Sequence, residues 1–319
     1  MAYLKRRYAT SEAWILFLIK GGPRFFMLSE QLRKTIAGYE QYLKNNGIDE
    51  DLINAYVMAS EFAIKEDQKE GLSVSFRAKE LIEKFVYDQT GGGTILSLEK
   101  FCQSNSAEYD ILDKYYLVLK YESFSLFESF IYYLERYRQV GKRFYWPRRK
   151  TLRIIAEDFQ TLEDSNQKFQ GVSQPSRTGK STMGILFLLW IAMKRPNSHS
   201  AMGGHSGILA KGFYKELLNM MTSEEYTFKE LYLYWNPEYE KMPFPTDKSA
   251  DDYTITLGSP DRFATITCRG IDGTWTGAVD VSSDGYLYVD DLVRDREHSL
   301  SPLRMESTYQ EYLNKMVDR

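Results

Sequence analysis

Apolar residues recur every three to four positions through the first 140 residues, the spacing of a helix that buries one face. Leu32, Ile36, Tyr39 and Leu43 are an example. The pattern predicts helices over Leu28–Asn45, from the capping residue Asp49 to Ile64, over Ser75–Gln89 and over Glu108–Arg138. We therefore predict an α-helical accessory domain over residues 1–140, in which no pattern is typical of catalysis.

The pattern changes period after Gly141, where apolar helices alternate with short β-rich stretches. Helices are predicted over Leu152–Leu162 and Ser181–Met193, and strands over Lys168–Ser173, Tyr253–Leu257, Phe263–Cys268 and Gly285–Val289. A strand, a turn and a helix followed by further strands are typical of an α/β sheet. We therefore predict an α/β domain over residues 141–319, with a central, mostly parallel sheet flanked by helices.

A basic and aromatic segment opens this second domain. Six basic residues and no acidic residue lie between Gly141 and Arg153, interleaved with Phe144, Tyr145 and Trp146. Such a segment is either a lip that contacts phosphate or a nucleobase, or a solvated linker whose long side chains cover apolar surface. The sequence leaves both interpretations open.

Composition narrows the class of protein. An apolar fraction of 43% and a charged fraction of 27% exclude a disordered or collagen-like chain. The net charge is −3, so contact with DNA would need a local basic patch. The two cysteines and three histidines are too few and too scattered to indicate a disulfide framework or a metal cluster. The longest apolar run, Met183–Met193, is about half the roughly 20 residues of a membrane-spanning helix, so no membrane partner is expected.

The residues before the second apolar helix match a phosphate-binding loop. They match the Walker A pattern Gly-x-x-x-x-Gly-Lys-[Ser/Thr] at every position except the first glycine, which Gln174 replaces. The candidate nucleotide-binding residues of this loop are Gln174, Pro175, Ser176, Arg177, Thr178, Gly179, Lys180, Ser181 and Thr182.

The spacing of the loop explains its expected chemistry. Gly179 lets backbone N–H groups approach phosphate oxygens at the start of a helix, where the helix dipole favours an anion. Lys180 is expected to reach the β- and γ-phosphates, and the Ser181 hydroxyl to bind Mg²⁺. Gln174 costs the loop some freedom, because a residue other than glycine tolerates positive φ poorly.

A phosphate loop of this kind needs an acidic residue at the end of another strand, and residues 286–291 supply two. The apolar run Tyr-Leu-Tyr-Val is followed directly by Asp290 and Asp291. Asp290 is expected to hold Mg²⁺, and Asp291 to polarise the attacking water. An ordinary pair of turn acids after a strand is the alternative.

Hydrolysis also needs positive charge near the γ-phosphate in the transition state. Arg177 lies inside the loop and is the candidate that could act within the same subunit. Other arginines are available from this or a neighbouring subunit, namely Arg262, Arg269, Arg294 and Arg296.

Five segments together resemble the ATPase part of the terminase large subunit of tailed phages, the motor that packages DNA into a procapsid. The segments are residues 143–149, 162–164, 173–182, 267–278 and 287–293. The Thr-Gly-rich segment 267–278 is the most specific of them, because Walker motifs are shared by many ATPases.

The resemblance implies a P-loop NTPase fold and ATP hydrolysis, with Mg²⁺, coupled to translocation of double-stranded DNA. It implies a homo-oligomeric ring docked on a portal protein, supplied with DNA by a small terminase subunit, in the host cytoplasm. It also implies that Asp291 is the catalytic base and that Tyr145, Trp146 and Arg148 are candidates to contact adenine.

The chain departs from the family at several places. Many terminases carry Glu where Asp291 lies, and an arginine often follows the Thr-Gly pair, where this chain has Ala278; Arg269 is the substitute candidate for a finger acting between subunits. Terminases usually continue into a nuclease domain, whereas this chain stops at Arg319, so no nuclease activity is expected from it.

Three functions remain in consideration. The leading one is a DNA-packaging ATPase motor. The second is another P-loop enzyme such as a helicase-like ATPase, which would normally need a second motor domain. The third is a nucleotide-binding scaffold with slow turnover, which the unusual Gln174 and Asp291 keep in view.

Overall fold

The computed structural model of the chain describes residues 28–92, 94, 99–100, 109–165, 167–175, 177–259 and 262–317. These residues form two compact units, which divide between Ser125 and Leu126. The division lies ahead of Gly141, where the composition changes along the sequence. The structure is mixed α/β, as expected, and its sheet lies in the second unit.

The first unit contains helices α1 (Glu30–Asn46), α2 (Glu50–Glu66), α3 (Gln68–Thr90) and α4 (Tyr109–Glu122). The first two lie close to their predicted bounds. Asp49 caps α2 as predicted, since its carboxylate accepts the N–H of Leu52 at 2.8 Å. Helix α3 begins earlier than predicted, because Asp67 caps it by accepting the N–H groups of Lys69 and Glu70.

The single helix predicted over Glu108–Arg138 is wrong, because two helices occupy that range. Helix α4 ends at Glu122, and α5 covers Phe127–Leu134. Between them the Ser123 hydroxyl donates to the main-chain oxygen of Lys120 at 2.6 Å, the local competition by which serine interrupts a helix. Apolar spacing continues through this turn, so the spacing alone does not reveal the break.

The second unit begins with α5 and combines helices with one sheet. Its other helices are α6 (Tyr145–Asp164), α7 (Lys180–Lys194), α8 (Gly207–Thr222), α9 (Phe228–Trp235), α10 (Arg296–Leu300) and α11 (Pro302–Tyr312). Its strands are β1 (Ser200–Gly204), β2 (Asp247–Ser249), β3 (Thr254–Thr256), β4 (Ile266–Gly270) and β5 (Leu287–Val289).

The sheet is mixed rather than mostly parallel. Its strand order is β2-β3-β4-β1-β5, with β1 parallel to both β4 and β5. Strand β3 is antiparallel to β2 and to β4, because the connections from β2 to β3 and from β3 to β4 are both too short for the crossover that parallel neighbours need. The three parallel strands end at one edge, where Gly204 lies beside Gly270 and Gly203 beside Val289.

Three features of the strands differ from the sequence prediction, and one of them is β2, which the sequence did not predict. The stretch Lys168–Ser173 forms no strand, and the Phe169 side chain is 74% exposed instead of facing a core. Strand β1 was not predicted, because its sequence Ser-Ala-Met-Gly-Gly is buried at every position and shows no alternation of apolar and polar residues.

Helix α7 is the centre of the second unit. It is buried from Met183 to Met193, as expected of a helix that is apolar on all sides. The ring of Phe187 packs 4.7 Å from that of Phe159 on α6 and 4.9 Å from that of Tyr286, measured between centroids. Within the described ranges, no helix combines the length and apolar content needed to cross a membrane.

A buried ion-pair network joins the ends of α6 and α7 to the start of β5. The Glu163 carboxylate, whose side chain is 6% exposed, contacts Lys194 at 2.6 Å and Arg195 at 2.8 Å and accepts the Tyr286 hydroxyl at 3.0 Å. Burial opposes ionisation of Glu163, but the hydrogen bond from Arg195 and the charge of Lys194 outweigh it, so its pKa lies below the ordinary value of 4.5.

Glu163→Gln should lower the free energy of unfolding at neutral pH by about 2 kcal/mol, because it leaves buried cationic donors incompletely satisfied. A lowered carboxyl pKa contributes stability above about 4.5, and that stability is lost as the pH falls through the folded-state value. The gap between native chain and variant should therefore shrink below pH 4.5 in urea unfolding curves. A gap that stays constant down to acid pH would contradict this account.

Candidate functional site

The predicted phosphate loop ends where α7 begins. Gly179 has φ +106°, and no side chain in the described part of the chain caps the helix that starts at Lys180. The first intrahelical bond runs from the Met183 N–H to the Gly179 oxygen at 3.0 Å. The preceding N–H groups of the first turn therefore have no acceptor within the helix, and they carry the positive end of its dipole. A helix start of this kind suits an anion.

Gly179 is required by a close aromatic contact as well as by its backbone conformation. A Cβ at this position would lie 2.6 Å from Cζ of Phe144. The Arg148 guanidinium lies 5.3 Å from the centroid of the Phe144 ring and donates to the Phe144 main-chain oxygen at 3.1 Å. The basic and aromatic segment thus contacts the loop through Phe144.

Tyr145, the predicted adenine contact, belongs to the core instead. Its ring is 0% exposed, and its hydroxyl donates to the Glu128 carboxylate at 2.8 Å. A fully buried ring offers no face on which a base could stack, so the structure gives this prediction no support. Of the other two predicted adenine contacts, Trp146 is partly buried and Arg148 is exposed beside Phe144.

A buried carboxylate fixes Phe144 against the loop. Glu135 is 3% exposed and accepts the N–H of Phe144 at 2.7 Å and of Tyr145 at 3.0 Å. It therefore acts as the cap of α6 from a remote position, and Arg138 pairs with it at 3.0 Å. The basic segment is therefore not simply a solvated linker, because Arg143 is also buried and donates to main-chain oxygens.

Asp290 and Ser181 lie together, as the sequence predicted for a metal site. Asp290 follows β5, its N–H donates to the Gly203 oxygen at 2.9 Å, and the residue is 7% exposed. The Ser181 hydroxyl lies close enough to this carboxylate to favour its charged form. Burial raises the pKa of this carboxyl, and the charge of Asp291 adds to that effect, whereas the Ser181 hydroxyl and the charge of Lys180 oppose it.

Strand β5 approaches α7 closely because Gly184 has no side chain. A Cβ there would lie 2.3 Å from Cζ of Tyr288, whose hydroxyl donates to the Lys180 main-chain oxygen at 3.2 Å. This contact brings the end of β5, with Asp290, next to the first turn of α7.

Gly184→Ala should lower the free energy of unfolding by about 1–3 kcal/mol, because the added methyl displaces a packed tyrosine ring. Gly212→Ala on α8 is the matched control, since a Cβ there has nothing within 4 Å. That control should gain about 0.5–1 kcal/mol from helix propensity. Thermal and urea unfolding of both variants measures the difference, and equal effects would contradict the close-packing account.

Asp291 leaves β5 in an unusual backbone conformation. It is exposed and has φ +46°, a left-handed value that Asp and Asn adopt more readily than other residues with side chains. Its main-chain oxygen contacts Nδ1 of His205 at 2.9 Å. His205 directly follows β1, and the sequence analysis did not single it out.

The remaining loop residues have mixed placements. Arg177 is exposed with φ +64°, and the Thr178 hydroxyl donates to the Pro175 oxygen at 2.8 Å. Thr182 donates to Glu216 on α8 at 3.3 Å. Ser176 lies outside the described residues. Oε1 of Gln174 is buried and has no hydrogen-bond partner among the residues that the structure describes.

The Thr-Gly-rich segment lies at the same sheet edge, after β4. Trp275 anchors it in the core, where its Nε1–H donates to the Gly270 oxygen at 2.9 Å. Ile271 is buried with it, whereas residues 272–274 are exposed. Arg269 points to Asp252 at 3.5 Å, so its guanidinium is engaged within this chain.

The arrangement combines an uncapped helix start, a hydroxyl and two adjacent carboxylates. Within the described ranges, no group of three or more His, Cys, Asp or Glu side chains could hold a metal. One hydroxyl and one carboxylate nevertheless suit Mg²⁺, which takes its other ligands from water and phosphate. The contact of Phe144 with Gly179 and the approach of His205 join residues far apart in sequence, and no local motif marks either.

Comparison with protein-family models, with curated proteins and with solved structures finds no match to this chain.

Proposed function

We propose that this chain is a P-loop ATPase, the motor of viral double-stranded DNA packaging. The proximity of Ser181 to the Asp290 carboxylate carries this proposal, together with the bond from the Tyr288 hydroxyl to the Lys180 main-chain oxygen. These contacts link the start of α7 to the end of β5, as hydrolysis of a Mg²⁺-bound triphosphate requires. The coupling of hydrolysis to DNA translocation is inferred from the terminase-like segments, because the geometry of the site does not bear on DNA.

The residues present fit Mg²⁺ and ATP. Ser181 and Asp290 are oxygen donors of the type Mg²⁺ prefers, and the unpartnered Oε1 of Gln174 is a polar atom that a ligand or its water could satisfy. Bound ATP would supply the phosphoanhydride, and the Mg²⁺ bound with it would neutralise charge on the β- and γ-phosphate oxygens. The N–H groups of the first turn of α7 and the Lys180 ammonium would bind the phosphate oxygens.

The two candidate catalytic groups beyond Lys180 are exposed. Asp291 would accept a proton from the attacking water. The water oxygen would bond to the γ-phosphorus while the bond from that phosphorus to the β-phosphate oxygen breaks, which releases ADP. Arg177 lies within the loop and would stabilise charge on the transferred group from the same subunit. Phe144 lies against Gly179 and replaces Tyr145 as the aromatic candidate for contact with the base, beside Arg148, which stays a candidate.

The expected partners follow from the family resemblance. They are double-stranded DNA, a small terminase subunit, a portal protein and further copies of this chain in a ring, at the procapsid portal in the host cytoplasm.

ATP turnover of the purified chain, with and without duplex DNA and Mg²⁺, tests the proposal. The expected result is Mg²⁺-dependent turnover that duplex DNA stimulates. Nucleotide binding without turnover would favour the scaffold interpretation, and stimulation by single-stranded DNA alone would favour a helicase-like enzyme. Absence of both binding and turnover would contradict the ATPase proposal.

A further inference from the structure

His205 occupies the tip of the central parallel strand. Strand β1 lies between β4 and β5, and His205 follows its last residue, Gly204. The carboxyl ends of parallel strands share one edge, so His205 lies beside Asp290 and Asp291, which follow β5. The side chain is partly buried there.

One contact joins His205 to the acidic pair. Its Nδ1 lies 2.9 Å from the main-chain oxygen of Asp291. A carbonyl oxygen can only accept, so this contact is a hydrogen bond when Nδ1 carries a proton. The bond acts on a residue whose φ of +46° costs free energy, and it offsets part of that cost.

The geometry points to His205 as a positioning residue for Asp291. By holding the main-chain oxygen, its Nδ1–H fixes the left-handed turn and with it the direction in which the Asp291 carboxylate leaves the strand. His205 thus links the tip of β1 to the candidate catalytic base. The inference rests on the proposed function only for the role of that carboxylate, and the hydrogen bond itself can be tested without nucleotide.

The chain contains a matched control at the opposite end of the same strand. Nδ1 of His199, which directly precedes β1, lies 3.2 Å from the main-chain oxygen of Ala264. Both histidines therefore contact a main-chain oxygen through Nδ1, but only His205 lies beside the acidic pair.

Two substitutions separate the ring nitrogens of His205. The side-chain amide nitrogen of Asn takes the place of Nδ1, whereas that of Gln takes the place of Nε2. His205→Gln should lower kcat for ATP about 10-fold, as is typical when a group that orients a functional residue is removed. His205→Asn should keep kcat near the native value, and KM for ATP should change little in either variant. His199→Gln should leave kcat within about twofold of native, like a change remote from the site.

A second measurement needs no ATP. The chain has three histidines, so long-range ¹H–¹⁵N spectra of ¹⁵N-histidine-labelled protein can be assigned by substitution. We expect His205 to carry its proton on Nδ1 at a pH where the ring is neutral. Amide hydrogen exchange at Asp291 and Leu292 should be faster in His205→Gln than in the native chain and in His205→Asn.

These readouts separate the two levels of the argument. An Nε2–H tautomer in the native chain, or unchanged exchange at Asp291 in His205→Gln, would overturn the inference. So would equal kcat in the native chain and in His205→Gln. A native chain without ATP turnover would count against the proposed function, and the spectra and exchange rates would still decide whether His205 holds Asp291.

Discussion

Replacing Lys180 with alanine should lower ATP turnover about 100- to 1000-fold, the usual cost of removing one positioned donor from a developing charge. Lys180 is the first residue of α7 and follows the glycine that opens the helix. The ammonium carries a full positive charge, which the backbone N–H groups cannot replace. Steady-state phosphate release, with and without duplex DNA, measures the effect.

The fold should survive this change, because Tyr288 contacts the main-chain oxygen of Lys180 and not its side chain. Lys211→Ala is the control, since it removes an exposed lysine from α8 and should leave turnover near the native rate. A Lys180→Ala variant that hydrolyses ATP at the native rate would remove the basis for the phosphate-loop interpretation. A variant that loses turnover only because it unfolds would show a lower melting temperature.

Asp291→Asn should lower kcat by about 100-fold or more while nucleotide binding persists, because an amide cannot accept the proton of the attacking water. Asn tolerates left-handed backbone as Asp does, so this change keeps the turn at φ +46°. Alanine would confound chemistry with backbone strain. Single-turnover hydrolysis and binding of a fluorescent ATP analogue separate the chemical step from affinity.

Asp251→Asn, at an exposed position in the turn between β2 and β3, is the matched control and should leave kcat unchanged. Asp291→Glu adds a further comparison, since it lengthens the reach of the carboxylate by one methylene. Normal hydrolysis by Asp291→Asn would show that this residue is not the base. Reduced nucleotide binding in the same variant would instead indicate a role in holding the ligand.

Much of the fold could be predicted from local sequence. The helix pattern and the Asp49 cap predicted α2, and the continuous apolar run Met183–Met193 predicted the buried helix α7. Strands β3, β4 and β5 lie within or beside their predicted stretches because they contain β-branched or aromatic residues, which favour strands. The adjacency of Ser181 and Asp290 was also predicted from sequence, because a Walker A hydroxyl and an acid at the end of a neighbouring strand are expected to hold the same Mg²⁺.

Other features depended on partners that are remote in sequence. The residues expected to form a strand at 168–173 pair with no other strand in the described part of the chain. Whether Phe144 or Tyr145 contacts the loop depends on which of the two rings is buried in the core. Glu135 decides this by fixing the backbone at the start of α6.

The sequence by itself determined the positions of α1, α2 and α7, the Walker A-like segment before Ser181 and the acidic pair at Asp290 and Asp291, because each depends on residues close together in the chain. Only the tertiary structure decided the mixed order of the sheet, the contact of Phe144 with Gly179 and the approach of His205 to Asp291. These contacts join segments far apart in the chain, and packing and burial select them only when the second unit is assembled.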